Sequence, residues 1–270
     1  MLVLVAGAGG RLGRLVVGSL LARGHSVRAL VRTDEHLEAL AVLGAAPVVG
    51  DLRGDIEWIA DGCEAAVFAA GAHRPGDFAA IDGGGAAKLA EAADRFGLRH
   101  FVLCSAIGAS DFARRRRPLR DFLAAKHSAE RRLADLEVPW TILRFGGLTD
   151  RPPTGRIRTM VDDDGARTLS RRDAATTIVE TLRRPHLVHQ VVNVLPGDRQ
   201  VAQALDAIEP GPLPAAHNSA LGDAQALDPA IDPDMLLPDA APLDPAVEYE
   251  GDGPLLPEVV DNDDPSPGVP

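Results

Sequence analysis

The sequence predicts an α/β fold: a doubly wound parallel sheet with a small C-terminal elaboration, followed by a disordered acidic tail. Two observations carry this expectation. Short apolar runs alternate with stretches of helical periodicity as far as residue 208, and strands separated by helices build parallel sheets through right-handed crossovers. The first apolar run, Leu-Val-Leu-Val-Ala at residues 2–6, also ends directly on glycines spaced three apart, Gly7, Gly10 and Gly13, and Leu12, Leu15, Val16 and Leu20 then share one helical face. Strand, glycine loop, helix and second strand in that order make a dinucleotide-binding turn. Such a turn aims backbone N–H groups and a helix N-terminus at a pyrophosphate.

The remaining elements follow from the same periodicities. Strands are expected over 27–31, ending at Val48 and Val49, over 65–70, over 100–104 and over 140–143. Helices are expected over 81–96, where Ala87, Leu89, Ala90, Ala93 and Phe96 recur at helical spacing, and over 119–136. A strand over 156–161, a helix over 171–182 and a strand over 190–194 form the elaboration, which is too short to be an independent domain.

In this architecture ligands bind outside the carboxyl ends of the strands. The ends carry Arg32 after the second strand, Asp51 and Leu52 after the third, Ala70 and Gly71 after the fourth, Ser105 after the fifth, and Arg144 with Gly146 and Gly147 after the sixth. Within the loop, Gly7 permits the turn, Gly10 lets backbone approach phosphate, and Gly13 lets helix and strand pack closely. An arginine at the end of the second strand pairs with a 2′-phosphate where an acidic residue would accept from a 2′-hydroxyl. Arg32 therefore points to NADP, and Arg11 covers the same phosphate or remains a solvated loop residue. Asp51 is expected to accept from the adenine amino group or to cap the next helix, and Leu52 to pack on the ring.

Composition divides the 270 residues near position 209. Residues 1–208 hold all 28 basic residues against 25 acidic ones, whereas 209–270 hold 14 acidic residues, no basic one and 13 of the 21 prolines. The front part reads as the nucleotide-binding domain. The tail cannot bury enough apolar surface to offset its ordering entropy and is expected to be disordered. Arg outnumbers Lys by 26 to 2, yet the weakly basic front argues against a nucleic-acid partner. The run Arg114, Arg115, Arg116, Arg117 is either a solvated loop or a contact for an acidic ligand or for the acidic tail, which itself is expected to solvate the chain or to bind a partner. No apolar run is long enough for a membrane span, and no basic region precedes the first one, so no membrane contact and a cytoplasmic location are expected. Cys63 and Cys104 read as structural thiols, and no spacing of His, Cys and Asp suggests a metal site. The acidic stretch 162–165 lacks the alternating ligands of a calcium loop and reads as a polar turn.

The glycine loop, the Val-Arg-Ala-Leu-Val-Arg strand, Gly50-Asp51-Leu52, Phe68-Ala-Ala-Gly71, Asp82 with the helix after it, Gly146-Gly-Leu-Thr-Asp150 and Leu169-Ser-Arg-Arg-Asp-Ala-Ala together resemble the atypical short-chain dehydrogenase/reductases. Within them the match is to the NmrA-like and biliverdin reductase B (flavin reductase)-like branch, over residues 1–208. The resemblance implies a Tyr-x-x-x-Lys helix with a serine nearby. Here that helix reads Phe122-Leu-Ala-Ala-Lys126, and the single tyrosine of the chain, Tyr249, lies in the tail. By the same resemblance Lys126 holds the nicotinamide ribose and Ser105 hydrogen-bonds a substrate carbonyl. His73 and His127 are alternative proton donors or surface histidines. Two functions follow as expectations: an NADP(H)-dependent reductase of a small planar or carbonyl acceptor that takes its proton from solvent, or a non-catalytic NADP sensor. The substrate itself is not specified.

Overall fold

A computed structural model of the chain describes residues 1–72, 74–160 and 168–210. The chain runs β1 (Leu2–Ala6), α1 (Arg11–Leu21), β2 (Ser26–Val31), α2 (Leu37–Val42), β3 (Ala46–Val49), β4 (Ala65–Phe68), α3 (Ala86–Arg95), β5 (His100–Ala106), α4 (Leu119–Ala134), β6 (Trp140–Phe145) and β7 (Leu148–Thr149). It continues through β8 (Arg156–Met160), β9 (Leu169–Ser170), α5 (Arg171–Thr181), β10 (Gln190–Pro196), β11 (Arg199–Gln200) and α6 (Val201–Asp206). His73, the acidic stretch 162–165 and the tail from residue 211 lie outside the described residues.

Nine strands form one sheet in the order β11-β8-β10-β6-β5-β4-β1-β2-β3, and β7 pairs with β9 alone. The sheet is parallel from β3 to β10, but β8 runs antiparallel to both β10 and β11. The expected doubly wound parallel sheet is present, and the C-terminal elaboration adds the antiparallel β8 at its edge. Both faces are covered, which explains why the strands read as continuous apolar runs. Along β1, Val3 and Val5 join the core beneath α1 and α5, while Leu4 and Ala6 join the core beneath α3 and α4.

Three differences from the expected elements matter at the site. β4 stops at Phe68, releasing Ala69 and Ala70 into a loop. β5 and β6 run on to Ala106 and Phe145, so Ser105 and Arg144 lie side by side inside paired strands rather than beyond them. The helix expected over 81–96 begins as a wide π-type turn, Ala79–Gly85, before α3. Glycines make that turn possible: a Cβ on Gly85 would lie 2.9 Å from the Leu52 Cβ, and one on Gly83 would lie 3.4 Å from the Ala125 carbonyl oxygen. α2, β7, β9, β11 and α6 are too short to have shown a period.

His100, at the start of β5, is buried with Thr141. The Thr141 hydroxyl donates to the Leu187 carbonyl at 2.8 Å, and the His100 Nε2 is hydrogen-bonded to the same Thr141 oxygen, also at 2.8 Å. Burial holds the His100 imidazole down to about 4 from an ordinary 6.5. As pH falls the unfolded chain takes up this proton first, so stability is complete above the unfolded value and drains as pH falls from 6.5 toward 4. The full loss from this group is ~3 kcal/mol. Urea unfolding followed across that window should show the decline, and His100→Gln, though less stable at neutral pH, should show a shallower one.

Candidate functional site

The sheet order reverses between β1 and β4, since β2 and β3 continue to one side of β1 and β4, β5 and β6 to the other. A crevice opens at such a switch point, outside the carboxyl ends of the strands. Gly7 closes β1 with φ +80°, and a Cβ there would lie 2.6 Å from the Ala70 Cα in the loop after β4. A Cβ on Gly13 would collide with the Gly7 carbonyl oxygen. Gly7 and Gly13 thus bring the end of β1, the start of α1 and the loop after β4 together. Gly10 stands at the N-cap of α1 without a side-chain cap, and the first turn, Arg11, Leu12 and Gly13, contains no acidic residue. The N–H groups of an uncapped first turn carry positive partial charge and need acceptors. These residues fit the phosphates of a dinucleotide.

Around the crevice the side chains divide into arms and supports. Arg32 follows β2, is exposed, and forms no ion pair among the described residues. Arg28, on the same strand, is spent on structure, donating to the carbonyls of Ile59 and Asp61 at 2.8 and 2.6 Å. Arg11 is ion-paired with Asp150, which also pairs with Arg171. Asp51 closes a turn by accepting from the Arg53 N–H at 2.9 Å. Leu52 packs against the core beneath α3, Ala70 is half-buried and Gly71 is exposed beside it.

The other half of the site hangs from α4. Lys126 is buried; its ammonium pairs with the Asp82 carboxylate at 2.9 Å and donates to the Cys104 carbonyl at 3.1 Å. The second Asp82 oxygen accepts from the Ala72 N–H at 2.9 Å, tying the loop after β4 to the same lysine. One turn along α4, the buried Glu130 carboxylate takes a bidentate pair from Arg144, with distances of 2.9 and 2.5 Å, and accepts the Ser105 hydroxyl at 2.5 Å. Phe122 packs edge-on to Phe78 with centroids 5.3 Å apart, and its ring centroid lies 5.6 Å from the Lys126 nitrogen.

Asp82, Glu130 and Arg144 are the polar residues whose roles sequence reading missed. Their signals were present: Asp82 sat in the motif carrying the resemblance, and Lys126 and Glu130 are four apart on a helix, hence on one face. His127 is buried, contrary to the surface alternative, and stacks at 5.5 Å from Phe112. Burial holds its imidazole below the ordinary value, favouring the neutral ring. Cys104 is pushed up to about 12 by burial, which makes it an inert thiol. Arg114, Arg115, Arg116 and Arg117 are exposed, with Arg114 paired to Asp111 and Arg117 to Asp121.

Neutralising one partner of a buried pair strands the other charge. Asp82→Asn should therefore destabilise the protein by about 3 kcal/mol in urea unfolding, and Asp82→Asn with Lys126→Met should recover most of that loss. Equal losses in the single and double variants would show that the pair is not the cause.

A family model described as NAD(P)H-binding matches residues 7–185. A Bacillus subtilis relative named as an uncharacterized sugar epimerase, YhfK, is 32% identical over 212 residues, covering 76% of this chain and 99% of the relative. A Bacillus halodurans structure, provisionally named an NAD-dependent epimerase/dehydratase, superposes with a TM-score of 0.74 at 30% identity, covering 77% of this chain and all of that one. ChuY, an anaerobillin reductase from Escherichia coli O157:H7, shares the fold, with a TM-score of 0.64 at 22% identity over 74% of this chain and 98% of its own. The chain belongs to the NAD(P)H-binding family of atypical short-chain dehydrogenase/reductases.

Proposed function

We propose that the protein is an NADP(H)-dependent oxidoreductase that reduces a small planar or carbonyl acceptor whose proton comes from solvent. The observation that carries this reading is the Phe122–Lys126 arrangement. A phenyl ring covers the ammonium where the family helix ordinarily offers a tyrosine hydroxyl, and the nearby Ser105 proton is committed to Glu130. The bound nicotinamide supplies the hydride. Lys126 is ion-paired with Asp82 and donates to the Cys104 carbonyl, which leaves it donor capacity for the ribose. The glycine loop and the first turn of α1 hold the pyrophosphate, and Arg32 holds the 2′-phosphate. The half-buried Phe78–Phe122 pair supplies an apolar wall for a flat acceptor.

Losing a positioned acid costs about 10²- to 10⁴-fold where proton transfer is part of the barrier. Flavins and quinones escape that cost because their reduced forms take protons readily from water. Epimerisation, which the name of the Bacillus subtilis relative suggests, needs a base for the alcohol proton as the hydride leaves, and Phe122 offers none. Phe122 also supports a second reading, a protein that binds NADP and reports its redox state without turnover.

The experiment is to mix the protein with NADPH or NADH and a panel of flavins and quinones and to follow loss of reduced-nicotinamide absorbance. Oxidation is expected, with kcat/KM about 10- to 100-fold higher for NADPH, the range of one charge-assisted contact to the 2′-phosphate. Tight NADPH binding without oxidation by any acceptor favours the sensor. Absence of binding overturns both readings.

A further inference from the structure

We infer that Asp150 is a placeholder anion: its carboxylate occupies the Arg11 guanidinium until a cofactor phosphate replaces it. The inference deepens the cofactor site proposed above and rests on that reading. Arg11 is the first residue of α1, directly after the uncapped Gly10, so its backbone belongs to the mouth of the phosphate loop and its guanidinium is within reach of it. Asp150 comes from a different part of the chain, just after β7, and reaches Arg11 with one carboxylate oxygen and Arg171 with the other.

The two arginines are held differently. The Arg171 side chain is 10% exposed and its second nitrogen donates to the Leu148 carbonyl at 2.9 Å, so that arm is fixed. Arg11 and Asp150 are about half exposed, at 47% and 52%, so the pair between them is the arm that yields. The triad of one carboxylate and two guanidiniums carries a net positive charge. A phosphate that takes Arg11 leaves Asp150 still neutralised by Arg171, and no bare carboxylate is created by the exchange. A carboxylate beside the phosphate loop would otherwise repel the ligand. Arg171 makes it tolerable, and Asp150 keeps Arg11 from closing on the loop when no cofactor is present.

The placeholder lowers cofactor affinity by the cost of breaking a half-exposed pair, which is modest. Dissociation constants for NADPH and NADH are to be measured by calorimetry on the full chain and on Asp150→Asn, Asp150→Glu, Arg11→Gln and the Asp150→Asn/Arg11→Gln double variant. Asp150→Asn should tighten NADPH binding about two- to fivefold at low salt and lose that gain at high salt. Asp150→Glu keeps the charge and should bind as the wild type does, which also controls for folding. In the Arg11→Gln background the Asp150→Asn gain should vanish. A gain shared by NADPH and NADH assigns Arg11 to the pyrophosphate; one confined to NADPH assigns it to the 2′-phosphate. Unchanged or weaker binding in Asp150→Asn, or a gain that survives without Arg11, overturns the inference while leaving the cofactor site intact. Failure of the wild type to bind either dinucleotide overturns the cofactor reading and this inference with it.

Discussion

Helix α1 approaches the end of β1 so closely that one methyl group at residue 13 would collide with the Gly7 carbonyl oxygen. That contact sets the position of everything on the nucleotide side. It drops the first turn of α1 onto the carboxyl edge of the sheet, where uncapped N–H groups face the crevice. The crevice has its other wall from the loop after β4, whose Ala70 comes so near Gly7 that no side chain fits between them. A residue with a Cβ at either glycine would force helix, strand and loop apart, and the phosphate cradle would be lost with the packing.

The opposite half of the site depends on buried charge. Lys126 with Asp82, and Glu130 with Arg144, are nearly excluded from solvent; the first pair ties α4 to the turn before α3, and the second ties it to β6 and, through Ser105, to β5. Burying ions is costly, and a buried pair often adds no net stability over an apolar alternative. What such pairs supply here is orientation. Asp82 links Lys126 to the Ala72 N–H beside the crevice, and Glu130 fixes the Ser105 hydroxyl with its proton directed to the carboxylate. The wall formed by Phe122 offers no tyrosine-type acid, so what these side chains supply is positioning.

The architecture was legible because its signals are local. Continuous apolar strands, helical periodicity and three glycines at one turn name a doubly wound sheet from β1 to β6. The antiparallel edge made by β8 and β11 was not legible, since strand direction at an edge is set by pairing partners far away in sequence. Site residues divide along the same line. The packing roles of Gly7 and Gly13 and the place of Gly10 at the start of α1 are legible because backbone geometry dictates them. Asp82, Glu130 and Asp150 are not, because each acquires its role from a partner 14 or more residues away: Arg144 for Glu130, Lys126 for Asp82, Arg11 and Arg171 for Asp150.

The central claim is that the loop from Gly7 to Gly13 and the first turn of α1 hold the dinucleotide. Amide hydrogen exchange of the full chain, with and without saturating NADPH, tests it most directly, because the claim names the backbone groups that become acceptor-bound. The account predicts slowed exchange concentrated at residues 8–14 and in the loop at 70–72, with the outer strands β8 and β11 unaffected. Protection confined to other segments, or NADPH binding that leaves the amides of residues 8–14 exchanging at their original rates, would contradict it.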